Sequence, residues 1–450
     1  MPFTEVYQND KIPGCYGKVE HQSVGLGRFP INGKGSMIVF FRIIVGFSFF
    51  LVIFAYEFYK YERTVKILHT SDWHLGHTLY NYDRTEEQQA MLKQMVQIVK
   101  EQQPDVFLLC GDVYHTPTPS SAVQTMLTEA LLAIHKARPE MVIVMTAGNH
   151  DSGSKHEIFQ SPWRELNVYA IGQLEKERPQ EHIIEVKDKG FVMAVPYCSE
   201  RNMPTGFFQQ LTDLVSERNT AGLPVVMTAH TTVRGSDYTG HDHTTEYMVG
   251  GIDEIALEQL GEGYDYLALG HIHHAQFVHS GHHNARYCGT PLPVSFDECY
   301  AHSVSMVEIG RHGERPTVKE IAIDNPHPLV TLPADGFTTW EAAKELLTQF
   351  PADLAAYIRL NVEVDDFLPQ EAQAEAALLT DGKQCRFCCI NARRKAVSRA
   401  EARMLSVQEF QAEAPIDIAR RYANDVGIDF DSEMQVLFQE VMKEVEGGEV

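Results

Sequence analysis

The sequence predicts a layered α/β fold for its central part, followed by a small α+β domain and a helical tail. Three observations carry that expectation. From Val65 to about Glu298, short apolar strand patterns alternate with helix patterns. The apolar runs are continuous rather than alternating, as in strands buried on both faces. A polar, metal-type residue follows nearly every run, and residues at the carboxyl ends of neighbouring strands converge on one crevice.

Residues 1–64 stand apart. Residues 1–36 are Gly-rich and aperiodic, and residues 37–56 form an apolar stretch broken only by Arg42. That length fits a membrane anchor. Its uninterrupted part, Ile43 to Tyr56, is short for a span, and no small-residue cleavage site follows. Basic residues flank it on both sides. We read residues 1–64 as an over-extended reading frame, with Val65 as the start of the enzyme, and expect a cytoplasmic protein without a membrane partner.

The elements then follow in order. Val65–Leu68 reads as a strand leading to Asp72 and His74, and Arg84–Gln102 as a helix. Val106–Cys110 leads to Asp112, and Ser120–Ala137 is the next helix pattern. Met141–Met145 leads to Asn149 and His150, Val225–Thr228 to His230, and Tyr266–Leu269 to His271 and His273. This central domain is placed at 65–325. A small domain at 326–396 reads as strand 329–332, helix 338–349 capped by Thr338, strand 356–364, helix 369–379 and strand 384–392. The tail, 397–450, carries amphipathic helix patterns at 415–425 and 431–446.

Composition narrows the function. Of 450 residues, 44% are hydrophobic and 22% charged, which excludes disorder, collagen and a multi-span membrane protein. Lys and Arg number 38 against 61 Asp and Glu, a net charge of −23. Such a chain repels nucleic acid at long range, so handling DNA requires a local basic patch or bound cations. The 21 histidines point to metal. The eight cysteines form no disulfide framework, and Cys385-x-x-Cys388 lacks the second pair of a zinc site. Both facts fit a reducing compartment.

Four motifs carry the chemistry: Asp72-x-His74, Gly111-Asp112, Gly148-Asn149-His150-Asp151 and, after His230, Gly270-His271-Ile272-His273. Each alone is common; the ordered set, each member after an apolar strand, is not. Carboxylate, imidazole and amide oxygen together suit Mn²⁺, Fe²⁺ or Zn²⁺, and the oxygen share favours Mn²⁺. Asp112 is central enough to bridge two cations. Such a pair can hold a phosphate between them and activate a water. The competing reading is a set of unrelated loop residues, and Trp73 is read as packing beside the site.

The ordered set resembles the calcineurin-like metallophosphoesterase superfamily. The runs Lys66–Gly76 and Tyr287–Glu298 resemble its bacterial exonuclease subunits, the second run being the more discriminating. The resemblance covers Val65 to the C-terminus. It implies a metallophosphoesterase sandwich with a capping domain, and two divalent ions, Mn²⁺ first and Mg²⁺ second. One ion would be held by Asp72, His74, Asp112 and His273, the other by Asp112, Asn149, His230 and His271. His150 would donate a proton to the leaving oxygen, with Asp151 orienting it. His115 stands where the superfamily more often has Asp, and is grouped with these catalytic residues near the DNA strand.

The implied reaction is DNA hydrolysis, as a 3′ to 5′ double-strand exonuclease and as an endonuclease on hairpins and single strands. It would serve repair, replication and recombination, with two nuclease subunits per complex. The chain has no G-x-x-x-x-G-K-[ST] loop, so ATP would enter through an ATPase partner docked on the tail helices. The basic residues Lys383, Arg386, Arg393, Arg394, Lys395, Arg399 and Arg403 would contact DNA, against the alternative of a solvated face. Two rival functions stand beside this one: a stand-alone phosphoesterase on nucleotides or phosphoproteins, and a catalytically silent scaffold for DNA ends.

Overall fold

Two six-stranded sheets stack face to face and turn their strand ends toward one crevice. A computed structural model describes residues 64–240, 254–279, 283–395, 415–425, 430–431, 434–438 and 442. The N-terminal extension, its apolar stretch, and most of the second tail helix lie outside the described residues. Among the described residues, no helix is long and apolar enough to cross a membrane.

In the first unit, Met1–Asn325, the strands are β1 (Val65–Thr70), β2 (Val106–Cys110), β3 (Val142–Thr146), β4 (Val168–Ile171), β5 (Ile183–Val186) and β6 (Gly190–Ala194). They continue as β7 (Val225–His230), β8 (Tyr266–Gly270), β9 (Gln276–Phe277), β10 (Ala285–Tyr287), β11 (Ser303–Ile309) and β12 (Thr317–Ala322). One sheet has the order β12-β11-β1-β2-β3-β4, and the other β9-β10-β8-β7-β6-β5. From β1 to β4 the pairing is parallel, as it is from β6 through β7 and β8 to β10.

The continuous apolar runs have a direct cause. In β2, Leu108 and Cys110 face the layer between the sheets, with Ile67, Val144, Val226 and Ala268. Phe107 and Leu109 face the other way, against helices α1 (Thr85–Gln102) and α2 (Ser121–Ala137). Both faces are covered, so no position of the strand can be polar. Helix α3 (Phe207–Arg218) covers the outer face of the second sheet through Phe208, Leu211 and Val215. Leu108 is fully buried, and Leu108→Ala would cost about 2–5 kcal/mol. Helix α2 starts where Ser120 accepts a hydrogen bond from the Val123 amide, satisfying an otherwise orphaned donor.

The second unit, Pro326–Val450, runs β13 (Leu329–Leu332), α4 (Trp340–Gln349), β14 (Tyr357–Val364), α5 (Ala372–Leu379), β15 (Arg386–Arg394), with all three strands parallel. Its core joins Ile358, Leu360 and Val362 to Trp340, Leu347 and Ala376. Helix α4 is capped by Thr339, whose side chain accepts from the Ala342 amide. The cap is not Thr338, because that residue still belongs to the sheet. Its amide donates to Asn361 and its carbonyl accepts from Glu363. Helix α6 (Pro415–Asp425) begins the tail.

Candidate metal centre

The site is built where β1, β2, β3, β7 and β8 end. The loop after β1 is laced to the loop after β2: the amides of Asp72, His74 and Leu75 donate to the carbonyls of Gly111, Asp112 and Val113, each at 3.0 Å. The turns are tight enough to force left-handed backbone on side-chain-bearing residues. Asp72, His74, Asp112 and His271 have φ of 53°, 44°, 48° and 97°. Such strain costs of order 1–3 kcal/mol per residue and collects at functional sites. Gly111 is needed for a different reason. A Cβ there would lie 2.0 Å from His230 Nδ1.

Three donor groups result, each with its ligand atoms within 4.8 Å of one another: Asp72 with His74 and His273; Asp112 with His230 and His271; His74 with His115 and His150. Asp112 joins the first two groups. Its Oδ1 accepts the His150 amide at 2.8 Å. Its Oδ2 lies 3.3 Å from His230 Nε2 and 3.9 Å from His74 Nε2. Asn149 Oδ1 lies 3.0 Å from both His230 Nε2 and His271 Nδ1. The seven candidate ligands, Asp72, His74, Asp112, Asn149, His230, His271 and His273, therefore meet in one place.

The outer contacts decide which nitrogens are free. His230 Nδ1 faces the Cys110 carbonyl at 2.9 Å. A carbonyl only accepts, so Nδ1 carries a proton and Nε2 is left to face the site. Nε2 points at the oxygens of Asn149 and Asp112, which only accept, so a second ring proton or a cation must lie between them. His273 repeats the arrangement: Nδ1 meets Glu298 Oε1 at 3.0 Å, and Nε2 meets His74 Nε2 at 3.2 Å. In the metal-free protein ring protons fill these gaps, and a divalent cation can take their place. The donor set thus fits divalent metal, and outer hydrogen bonds that fix the tautomer are what such ligands require.

Burial and charge act together. Burial alone would raise Asp112, but the surrounding imidazoles of His230, His74 and His150 hold its carboxyl well below the usual range. Burial would lower His230, yet Asp112 and Asp72 push it up to about 9. His273 is raised against its burial by Glu298. Asp72 is raised by burial, with His230 and His273 opposing. Burial, opposed by Asp112, drives His74 well below its ordinary value, and burial with the neighbouring His150 lowers His115 to about 4.

The catalytic candidates are placed less as expected. His150 sits beside the candidate ligands, its ring 4.9 Å from that of His74. Asp151 makes no hydrogen bond to the His150 ring. Its carboxylate accepts from the amides of Val113, Tyr114 and Gly148 at 2.9–3.0 Å. These three donors occupy both oxygens and clamp the β2 and β3 loops together. The His150 ring is held instead by the His115 carbonyl, 2.9 Å from Nδ1. The His115 ring stacks on it at 5.6 Å and 24°.

Glu298 escaped the motif reading, although it closes the discriminating run Tyr287–Glu298. It lies 25 residues beyond His273, and no short spacing marks it. Trp73 is 2% exposed and packs edge-on to Phe107. In the second unit the basic residues are engaged locally. Lys383 Nζ donates to the carbonyls of Leu347, Thr348 and Phe350 at the end of α4. Arg386 bonds Tyr357, Arg393 pairs with Glu363, and Lys395 with Asp365. Arg399 and Arg403 lie outside the described residues. Cys110, Cys198, Cys288, Cys299, Cys385, Cys388 and Cys389 are free thiols.

Comparison with known proteins adds two findings. Residues 65–275 match the calcineurin-like phosphoesterase family. The SbcD subunit of nuclease SbcCD from Bacillus subtilis (strain 168) is 30% identical over 332 residues, covering 68% of this chain and 81% of that protein. The SbcD subunits of Rhodobacter capsulatus and Escherichia coli (strain K12) are 29% and 27% identical, over 70% of this chain and 79% and 82% of theirs.

Proposed function

The chain belongs to the SbcD family of nuclease subunits, metal-dependent phosphodiesterases with a calcineurin-like phosphoesterase domain, and from that premise we propose that it hydrolyses DNA. The activities are 3′ to 5′ exonuclease on double-strand ends and endonuclease on hairpins and single strands, in repair, replication and recombination. The observation that carries this reading is the pair of donor groups joined by Asp112 Oδ2, with His150 beside them.

Asp72, His74, Asp112 and His273 would hold one ion, and Asp112, Asn149, His230 and His271 the other. The mixed nitrogen and oxygen donors favour Mn²⁺ over Mg²⁺. Two such ions supply charge neutralisation at the phosphate and a nucleophilic water at neutral pH. The chain's residues do the rest. Cys110 and Glu298 keep the ligand imidazoles in the tautomer that offers Nε2. The His115 carbonyl holds Nδ1–H of His150, so the proton His150 gives to the leaving oxygen departs from Nε2, and the ring stays in place as the neutral tautomer. Asp151 acts through the backbone, fixing the two loops that carry Asp112 and His150.

The second unit would contact DNA and the tail would dock on the ATPase SbcC, which couples ATP to cleavage in a cytoplasmic complex with two nuclease subunits. Support for the tail comes from α6 and the residues after it, where Tyr422, Val436 and Leu437 expose 69%, 55% and 60% of their surface. Apolar side chains left on amphipathic helices suit a partner groove.

The decisive assay uses hairpin DNA with Mn²⁺, with and without the ATPase and ATP. His150→Ala should retain its metal and cleave about 10²–10⁴-fold more slowly. Normal turnover would overturn the role given to His150, and absence of metal-dependent cleavage by the unsubstituted chain would leave a scaffold. Removing residues from Pro415 onward should abolish complex formation on a sizing column and spare hydrolysis of a small phosphodiester.

A further inference from the structure

Arg84 occupies a position its helix does not explain. It is the residue just before α1, at the positive end of the helix dipole, where a cation is disfavoured, and it makes no side-chain cap there. It is also 2% exposed. Its ion pair with Glu87 is long, at 3.9 Å. Burying a guanidinium at a helix N-terminus is costly, so its contacts on the other side are informative.

Those contacts lead to the proton donor. Arg84 Nη1 donates to the Pro293 carbonyl at 2.6 Å and meets His77 Nδ1 at 3.3 Å. A guanidinium only donates, so His77 Nδ1 accepts and the ring proton of His77 lies on Nε2. The His77 ring meets the His115 ring edge-on at 4.7 Å. His115 in turn stacks on His150 and bonds it through its carbonyl. Neither Arg84 nor His77 belongs to either ligand set.

We propose that Arg84 is a positioning residue for the reaction, holding His77 against His115 and through them the ring of His150. This rests on His150 being the proton donor proposed above. The role has a chemical signature. A DNA phosphodiester expels an alkoxide, which needs a proton; bis(p-nitrophenyl) phosphate expels a stable aryloxide, which does not. Misplacing the donor should therefore slow the first reaction more than the second, whereas damage to the metal ligands slows both.

The test uses the full chain with Mn²⁺ and compares Arg84→Met, His77→Ala and the double variant on an oligonucleotide and on the aryl ester. We expect kcat on the oligonucleotide to fall about 10–100-fold, with KM and bound Mn²⁺ unchanged and a much smaller effect on the aryl ester. The double variant should be no slower than the worse single one, because both act along one line of contacts. Equal slowing of both esters, effects that multiply, or wild-type kcat in His77→Ala would overturn the proposal. Should Arg84→Met fail to fold, His77→Ala decides alone, because it removes only a half-buried loop side chain. If His150→Ala slows both esters alike, the proton-donor reading itself falls, and this inference falls with it.

Discussion

Both units carry parallel strands, and both place charged residues at the carboxyl ends of those strands, yet the outcomes differ. In the sandwich those ends deliver Asp72, His74, Asp112 and His230, none more than 3% exposed, the first three on strained backbone. In the small unit the ends of β14 and β15 deliver Glu363 and Arg393, which pair with each other at 2.9 Å in partial contact with water. Position at a strand end is therefore not enough to mark a site. What marks it is burial of several imidazoles and carboxylates whose ligand atoms converge within 4.8 Å of one another.

The comparison can be broken at four points. The largest effect is expected at Asp112. Asp112→Asn should lose bound metal and turnover by more than the 10–100-fold typical of a residue that only supports a ligand. Asp72→Asn should do less, because Asp72 stands in one donor group. Metal stoichiometry on both variants checks this, and equal losses would remove Asp112 from its joining position.

Glu298→Gln is next. It keeps the shape but removes the charge that raises His273, and should weaken metal binding about 10–100-fold, measured by titration with Mn²⁺.

The pH dependence follows from His230, which is raised to about 9. A group raised in the folded protein keeps its proton up to that pH, so below about 9 the proton competes with metal. Mn²⁺ affinity should climb roughly tenfold per pH unit below that point and flatten above it. In the metal-free protein the sign reverses: the protonated His230 stabilises fully below its ordinary value of 6.5, and that contribution is lost as pH rises toward 9. Flat metal affinity between about pH 6.5 and 9 would contradict the assignment.

The smallest effect belongs to the other side of the comparison. Arg393→Ala breaks a partly exposed ion pair and should cost less than about 1 kcal/mol in urea unfolding. It should leave aryl ester hydrolysis unchanged.

The strands and the clustering of the candidate ligands were legible in the sequence because the same physics produces both. A strand covered on two faces must be apolar throughout, so its first polar residue marks where it leaves the core. Side-chain partners were not legible in the same way. Asp151 adjoins His150 in sequence, but its carboxylate is taken by three amides from two loops. Lys383 reads as part of a basic surface, yet its ammonium sits on the carbonyl end of α4. Glu298 and Arg84 reach the site only through chain closure, from 25 residues after His273 and from the start of a helix. Thr338 looks like a cap until its amide is seen to pair with the sheet.

The central claim is that one carboxylate serves two cations. Crystals grown with Mn²⁺ and measured at its absorption edge would test it directly. The account predicts two anomalous peaks about 3.5–4 Å apart, both within bonding distance of Asp112. A single peak, or two peaks of which only one touches Asp112, would contradict it.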